Sequence, residues 1–269
     1  PAVVRASRLD VQTCAYTGPG TLAGRYLRRF WQPIANAPDV APGRAKPIRR
    51  LGEDFTLYRG ADGAPHLVAF RCAHRGTQLS TGWVEGDCIR CFYHGWKYDG
   101  TGQCVEMPAE DPSFPPKVKI KSYPTVAYAG LVFAYFGEGT PPPPPRHWEL
   151  DRPYGVKWTE KKVWHCNWFQ RLENAIDGSH LAFVHRGSEF GQQVTTQIPD
   201  FEYEETEWGM VLRSIRSPNN IRVNELHWPN CIHIRTPVLT GVADKLPWSD
   251  LFNWYTPIDD EHSVLFSAR

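Results

Sequence analysis

Two short clusters constrain this chain more than anything else in it. They are Cys72-Ala73-His74 and Cys91-Phe92-Tyr93-His94, with sixteen residues between His74 and Cys91. Each offers one thiolate and one imidazole. For both to serve one site, the chain must bring two loops together from opposite sides. Backbone must also come close to the sulfurs, and Gly76 and Gly95 stand where that requires small residues.

The bulk composition fits a packed protein with such a site. Of 269 residues, 41% are hydrophobic and 22% charged, so a globular core is expected. Thirty basic and twenty-nine acidic residues leave a net charge of +1, which argues against a nucleic-acid or anionic-membrane surface. The run from Thr125 to Gly137 is too short to span a bilayer and, rich in Val, Phe and Tyr, reads as a buried strand. No basic segment followed by an apolar stretch opens the sequence, so no export signal is expected. Seven scattered cysteines are not a disulfide framework. They fit a reducing, cytoplasmic setting, with some thiols committed to metal.

Turn signals divide the chain. Thr21 follows Gly18-Pro19-Gly20 and can cap a short helix with Leu22, Tyr26 and Phe30 on one face. From Lys46 the pattern is of strands: Phe55 to Tyr58 and His66 to Phe70 flank Ala61-Asp62-Gly63, with further turns at Glu85-Gly86-Asp87 and Asp99-Gly100. Both metal clusters then lie on loops of a small antiparallel β domain. Pro141 to Pro145 form a stiff spacer. Beyond it come one helical stretch, Trp168 to His185, and strands such as Met210 to Ile215 and Ser263 to Ser267. The expected class is α+β. The expected division is an N-terminal segment 1–45 packing with the C-terminal domain, a metal-bearing β domain 46–138, a Pro-rich linker 139–147, and an α+β domain 148–269.

The C-x-H…C-x-x-H pattern matches the ligand set of a Rieske [2Fe–2S] centre, in which two Cys hold one iron and two His the other. The competing reading is zinc, since Cys88 and Cys91 form a C-x-x-C that Cys72 and His94 could complete. The flanks bear on this choice. Cys72-Ala73-His74-Arg75-Gly76 and Cys91-Phe92-Tyr93-His94-Gly95-Trp96-Lys97-Tyr98-Asp99 resemble the cluster boxes of Rieske non-haem iron aromatic-ring-hydroxylating oxygenases, in their oxygenase (alpha) component. Respiratory Rieske proteins carry an extra Cys beside each box, and Arg75 and Gly76 stand where one would begin to appear. The segment Gly18-Pro19-Gly20-Thr21 … Arg28-Arg29-Phe30-Trp31-Gln32-Pro33 resembles the phthalate-dioxygenase-like branch. The resemblance implies a [2Fe–2S] cluster on Cys72, His74, Cys91 and His94, and a helix-grip-like catalytic domain.

A second stretch, Glu173 to His185, resembles the family's N-x-x-D-x-x-H-x-x-x-x-H signature through Asn174, Asp177, His180 and His185. There the two His bind a mononuclear Fe(II). Five residues put His180 and His185 roughly 140° apart on an ideal helix, so a wide, π-type or broken turn is expected between Gly178 and His185. The third ligand, a carboxylate, is expected to be missing from this sequence. Asp259 and Asp260 are better explained by a hairpin turn. The resemblance also implies a homotrimer in which Asp177 bridges His180 and the neighbouring subunit's cluster, with Asn174 beside it.

The implied function is that of a terminal oxygenase. It takes electrons from an NAD(P)H-dependent reductase (flavin and iron–sulfur) and activates O₂ against an aromatic substrate, with aromatic acids and aryl ethers as candidates. No nucleotide-binding glycine fingerprint is present, so NADH and flavin belong to the partner. Arg213, Arg216, Arg222 and Arg235 are candidates to hold a carboxylate. His227 and His233 fit a pocket lining and core packing equally well. The alternative function is a Rieske electron carrier without oxygenase chemistry. The segment from 146 to 269 and the His180/His185 pair speak against it.

Overall fold

Turn chemistry sets the first half of the fold. The computed structural model describes residues 11–153, 157–188, 198–218, 220–237 and 248–269. Helix α1 (Val11–Ala15) precedes α2 (Leu22–Arg28), whose Thr21 Oγ1 accepts the Gly24 N–H at 3.1 Å. The expected face of α2 is the solvent side: Leu22 and Tyr26 are exposed, while Ala23, Gly24 and Leu27 are buried. Gly24 decides this, because a Cβ there would meet the Gly18 and Thr17 carbonyls at 2.3 and 2.5 Å. That side of the helix lies against its own leading turn.

Strand β1 (Trp31–Asn36) precedes β2 (Ala45–Arg50), β3 (Glu53–Arg59) and β4 (Pro65–Ala69). The β3–β4 hairpin turns through Asp62 and Gly63, where Asp62 Oδ1 accepts the Ala64 N–H at 2.8 Å and Gly63 has φ +79°. Next come β5 (Trp83–Glu85), β6 (Cys88–Arg90), β7 (Lys97–Tyr98) and β8 (Cys104–Glu106), an antiparallel sheet in sequence order. Asp99 organises the β7–β8 turn by accepting the Thr101 and Gln103 N–H groups at 2.9 and 3.0 Å. Strand β9 (Ser122–Tyr123) closes the sheet β2-β3-β4-β9.

The run expected as one strand, Thr125 to Gly137, is two. β10 (Thr125–Tyr128) and β11 (Leu131–Tyr135) pair across Ala129 and Gly130, both at positive φ (48° and 77°). This is the backbone that a two-residue hairpin loop needs. β11 also pairs with β1, so the chain's early strand joins a sheet 100 residues later.

The Pro-rich stretch is tied along this sheet. Trp31 Nε1 donates to the Pro142 carbonyl at 2.9 Å, and the His147 N–H donates to Tyr128 Oη at 2.8 Å. It leads into α3 (Trp148–Asp151), β12 (Thr159–Trp164), α4 (Trp168–Ile176) and α5 (Leu181–Val184). Strands β13 (Asp200–Thr206), β14 (Gly209–Ser217), β15 (Asn220–His227), β16 (Cys231–Pro237), β17 (Trp248–Pro257) and β18 (Ser263–Ala268) complete the described elements. With β12 they form a seven-stranded antiparallel sheet, ordered β12-β18-β17-β16-β15-β14-β13.

Helix α4 lies on one face of that sheet. Its Trp168 and Leu172 share a core with Leu226, Ile232 and Tyr255, and this core continues into Ile34, Leu51 and Phe55. Burying each such side chain contributes about 1.5–3 kcal/mol. A separate cluster of Tyr58, Val68, Leu79, Ile89, Trp96 and Tyr98 encloses Cys72 and Cys91.

Candidate metal centres

The two cysteine loops close in the same way. Cys72 N–H donates to the Thr77 carbonyl at 2.8 Å, and Gly76 N–H to the Cys72 carbonyl at 3.0 Å; Cys91 N–H donates to the Trp96 carbonyl at 2.8 Å, and Gly95 N–H to the Cys91 carbonyl at 3.1 Å. Gly76 and Gly95, four residues after their cysteines, have φ +70° and +74°. Positive φ there lets each turn close without a Cβ penalty. The histidines sit at different offsets, but the loops are built alike.

Both cysteines are buried, and both imidazoles reach outward, His94 exposed and His74 half-buried. The His74 and His94 ring centroids are 4.5 Å apart, and His74 stacks on Trp96 at 4.6 Å and 8°. The seven cysteines are all free. Burial pushes the Cys72 thiol up, opposed by the hydroxyl of Tyr98 at 3.2 Å from Sγ. Cys91 lies beside Cys72 and adds to the rise.

A [2Fe–2S] cluster fits these residues. Two adjacent buried sulfurs become thiolates only beside a cation. His74 Nδ1 is buried with no hydrogen-bond partner, which is the condition of a nitrogen reserved for metal. The zinc alternative has less support: the groups acting on the Cys72 thiol are Tyr98, His74 and Cys91, and Cys88 is not among them. Its charged neighbours are instead Lys97, Asp99, Asp87 and Arg90.

At the second stretch the helix breaks. α4 stops at Ile176, Asp177 is its C-cap, and α5 starts after His180. His180 caps α5 at one end and His185 at the other, and their ring centroids are 5.6 Å apart. The π-type pairing expected is absent among the described residues: Val184 N–H donates to the His180 carbonyl at 2.8 Å, an ordinary α bond. The single helix Trp168 to His185 is therefore two, because Gly178 packs on the sheet. A Cβ on it would meet Phe201 Cε1 at 2.4 Å and Ser214 Oγ at 3.3 Å.

His180 Nδ1 is buried without a hydrogen bond and lies 3.6 Å from Asp177 Oδ2. That gap is long for a hydrogen bond. Asp177 is half-exposed, and its Oδ1 accepts the Ser179 N–H at 2.8 Å. Asn174 is exposed on α4, where its Oδ1 accepts from Arg171 Nη1 at 3.2 Å. Among the described residues no carboxylate completes a three-ligand group with His180 and His185. Two imidazoles with ring centroids 5.6 Å apart fit a ferrous ion as far as this pair goes. Asp259 and Asp260 serve the β17–β18 turn: Asp259 Oδ1 accepts the His262 N–H at 2.9 Å, and Asp260 Oδ1 the Thr17 N–H at 2.8 Å.

The sheet sorts the four candidate arginines. Arg213 pairs with Glu204 at 2.8 Å, and Arg235 is exposed. Arg222 stands opposite Ser214 in the β14–β15 register, on the side that faces Gly178. Arg222 Nε and Arg216 Nε and Nη2 are buried without hydrogen-bond partners. Burial, and then the charge of Arg216, hold the Arg222 guanidinium below its ordinary range. Sequence reasoning missed the Tyr98 hydroxyl on Cys72; the one available signal was the tyrosine near the end of the second box.

Two family models match the chain. A Rieske [2Fe-2S] domain covers residues 30–124, and a vanillate O-demethylase oxygenase C-terminal domain covers residues 164–268. The chain thus carries a Rieske domain followed by an oxygenase C-terminal domain. Among curated relatives, the 5,5'-dehydrodivanillate O-demethylase oxygenase subunit of a Sphingobium species is 34% identical, over 92% of this chain and 59% of the relative. The phthalate 4,5-dioxygenase oxygenase subunit of Pseudomonas putida is 31% identical, over 90% of this chain and 59% of the relative. Dicamba monooxygenase bound to dicamba superposes with a TM-score of 0.74 at 20% identity, over 91% of this chain and 77% of that one. The chain spans about three-fifths of the length of the first curated relatives it matches. No described helix is long and apolar enough to cross a membrane.

Proposed function

We propose that this chain is the core of the oxygenase component of a multicomponent system. In this reading Cys72, His74, Cys91 and His94 hold the [2Fe–2S] cluster, and His180 and His185 hold a mononuclear Fe(II) with a carboxylate. When bound, the cluster passes single electrons and the ferrous ion activates O₂. The electrons come from an NAD(P)H-dependent reductase. The observation that carries the reading is the pair of identically closed loops with buried sulfurs and facing imidazoles.

The chain's own residues have assigned tasks. Tyr98 Oη donates to the Cys72 sulfur, and the Trp96 ring holds His74 in orientation. Asp177 accepts from His180 Nδ1–H after a small rotation, which selects Nε2 for the metal. In a homotrimer, the same carboxylate accepts from His94 of the next subunit. Arg216 and Arg222, with unpaired buried nitrogens on the sheet face beside Gly178, bind the carboxylate of an aromatic acid. The protein works in the cytoplasm.

The test supplies a reductase, NADH and ¹⁸O₂ with a panel of aryl carboxylates, aryl methyl ethers and neutral arenes. Expected are ¹⁸O-labelled product from the acids, or formaldehyde from the methyl ethers, and at least tenfold weaker binding of the acids by Arg222→Gln. Reduction of the cluster with no product from any substrate would favour the electron-carrier alternative.

A further inference from the structure

The seven-stranded sheet carries a second cluster of metal-ligating side chains, on the face turned away from α4. Leu226, Ile232 and Tyr255 point toward α4 and share its core. Side chains alternate along a strand, so Glu225, His227 and His233 point to the other face. The register makes them neighbours: Glu225 stands opposite His233 on β16, and His227 opposite Cys231. His233 lies flat on Phe252, at 4.2 Å and 1°, and His227 stacks on Trp208 at 4.7 Å.

The three donors converge. Glu225 Oε2 is 3.0 Å from His233 Nδ1 and 3.3 Å from His227 Nε2, and all three ligand atoms lie within 4.8 Å of one another. Ligands held at about 2.0–2.1 Å around a tetrahedral zinc ion are about 3.3–3.5 Å apart along each edge. Among the described residues this is the only group of three such side chains.

A second observation comes from the far side of the His233 ring. His233 Nε2 is 3.2 Å from Asp250 Oδ1, and Asp250 Oδ2 is 3.6 Å from Arg152 Nη1. Histidines that ligate metals donate their other N–H to a carboxylate or carbonyl, which places the lone pair on the metal-facing nitrogen. Asp250 supplies that carboxylate from the adjacent strand, and both side chains are about nine-tenths buried. His227 also lines a cleft of about 720 Å³ together with Trp208, Trp228 and Arg146, which gives water a route to a fourth position.

We propose that Glu225, His227 and His233 bind a divalent transition-metal ion, zinc being the best match to two imidazoles and one carboxylate. Asp250 orients His233. The ion joins β15 to β16 and, through Asp250, to β17. It is separate from the sites at Cys72/Cys91 and His180/His185, and it does not depend on the oxygenase reading.

Protein with its visible absorption intact is equilibrated with 10 µM zinc, passed through a desalting column and assayed for zinc by mass spectrometry. One zinc per chain is expected, retained in a His180→Ala/His185→Ala variant. Glu225→Gln and His227→Gln should each weaken zinc binding at least tenfold, with unchanged circular dichroism and cluster absorption. Asp250→Asn, acting only through His233, should weaken it tenfold to a hundredfold. No zinc in the parent would overturn the site. So would zinc that persists in Glu225→Gln and His227→Gln but is lost with His180 and His185; the three carboxylate–histidine contacts would then be hydrogen bonds alone.

Discussion

At the residue scale, Tyr98 shows how a side chain outside the ligand set sets a property of the site. Burial, and then the hydrogen bond to Cys72, hold its phenol well above its ordinary range, so it remains a donor to the sulfur. A hydrogen bond to sulfur favours the reduced, more negative cluster. Tyr98→Phe is therefore expected to lower the reduction potential while leaving iron content unchanged, as read by redox titration of the visible spectrum. Asp177→Asn should keep the metals and slow electron transfer between the sites tenfold or more, measured by single-turnover mixing; unchanged transfer would remove Asp177 from the path. Cys72, His74, Cys91 and His94 were legible because their spacing is local. The Glu225–His233–Asp250 contacts were not, because they depend on the register of three strands that no short motif records.

At the element scale, the break between α4 and α5 falls before His180, so both histidines flank α5 on the same side of the break. The five-residue spacing predicts a wide or broken turn between Gly178 and His185, but the helix is interrupted only up to His180 and the turn between the histidines is ordinary α. The cause of the interruption is Gly178, pressed against Phe201 and Ser214. Gly178→Ala should cost about 1–3 kcal/mol by overpacking and weaken ferrous binding at His180/His185, measured by chemical denaturation and metal titration. The β10–β11 hairpin was hidden because Ala129, not a usual turn residue, takes a positive φ. Asp39 ties the loop before β2 to β12 through Lys161 and to β2 through Lys46. Burial alone would raise its carboxyl, yet the Lys161 hydrogen bond and both lysine charges hold it below the ordinary range. Burial lowers Lys46 in turn, and its ammonium stands farther from Asp39, at 3.5 Å, than that of Lys161. A carboxyl depressed in the folded state contributes stability above its unfolded pKa of about 3.9 and loses it as pH falls through the folded value. Asp39→Asn should thus lower stability by up to about 1 kcal/mol at pH 7, with the gap to the parent narrowing as pH falls below about 3.9, as read by urea melts.

At the scale of the whole molecule, early and late segments interlock. Thr17 bonds Asp260, Gln32 Oε1 accepts from Asn230 Nδ2 at 2.9 Å, and one core runs from Leu27 to Tyr255. The α+β class and the antiparallel sheets were legible from alternation and turns. The pairing of β1 with β11 was not, since nothing local specifies a partner so distant in sequence. The oxygenase reading rests on Cys72, His74, Cys91 and His94 clasping a cluster of two irons and two sulfides. That clasp is tested most directly by iron, acid-labile sulfide and visible spectra of the purified chain beside Cys72→Ser. Expected are a red-brown protein with at least about two irons and about two sulfides per chain, bleached by reductant, and a colourless Cys72→Ser variant. A colourless parent, or full colour in the variant, would contradict it.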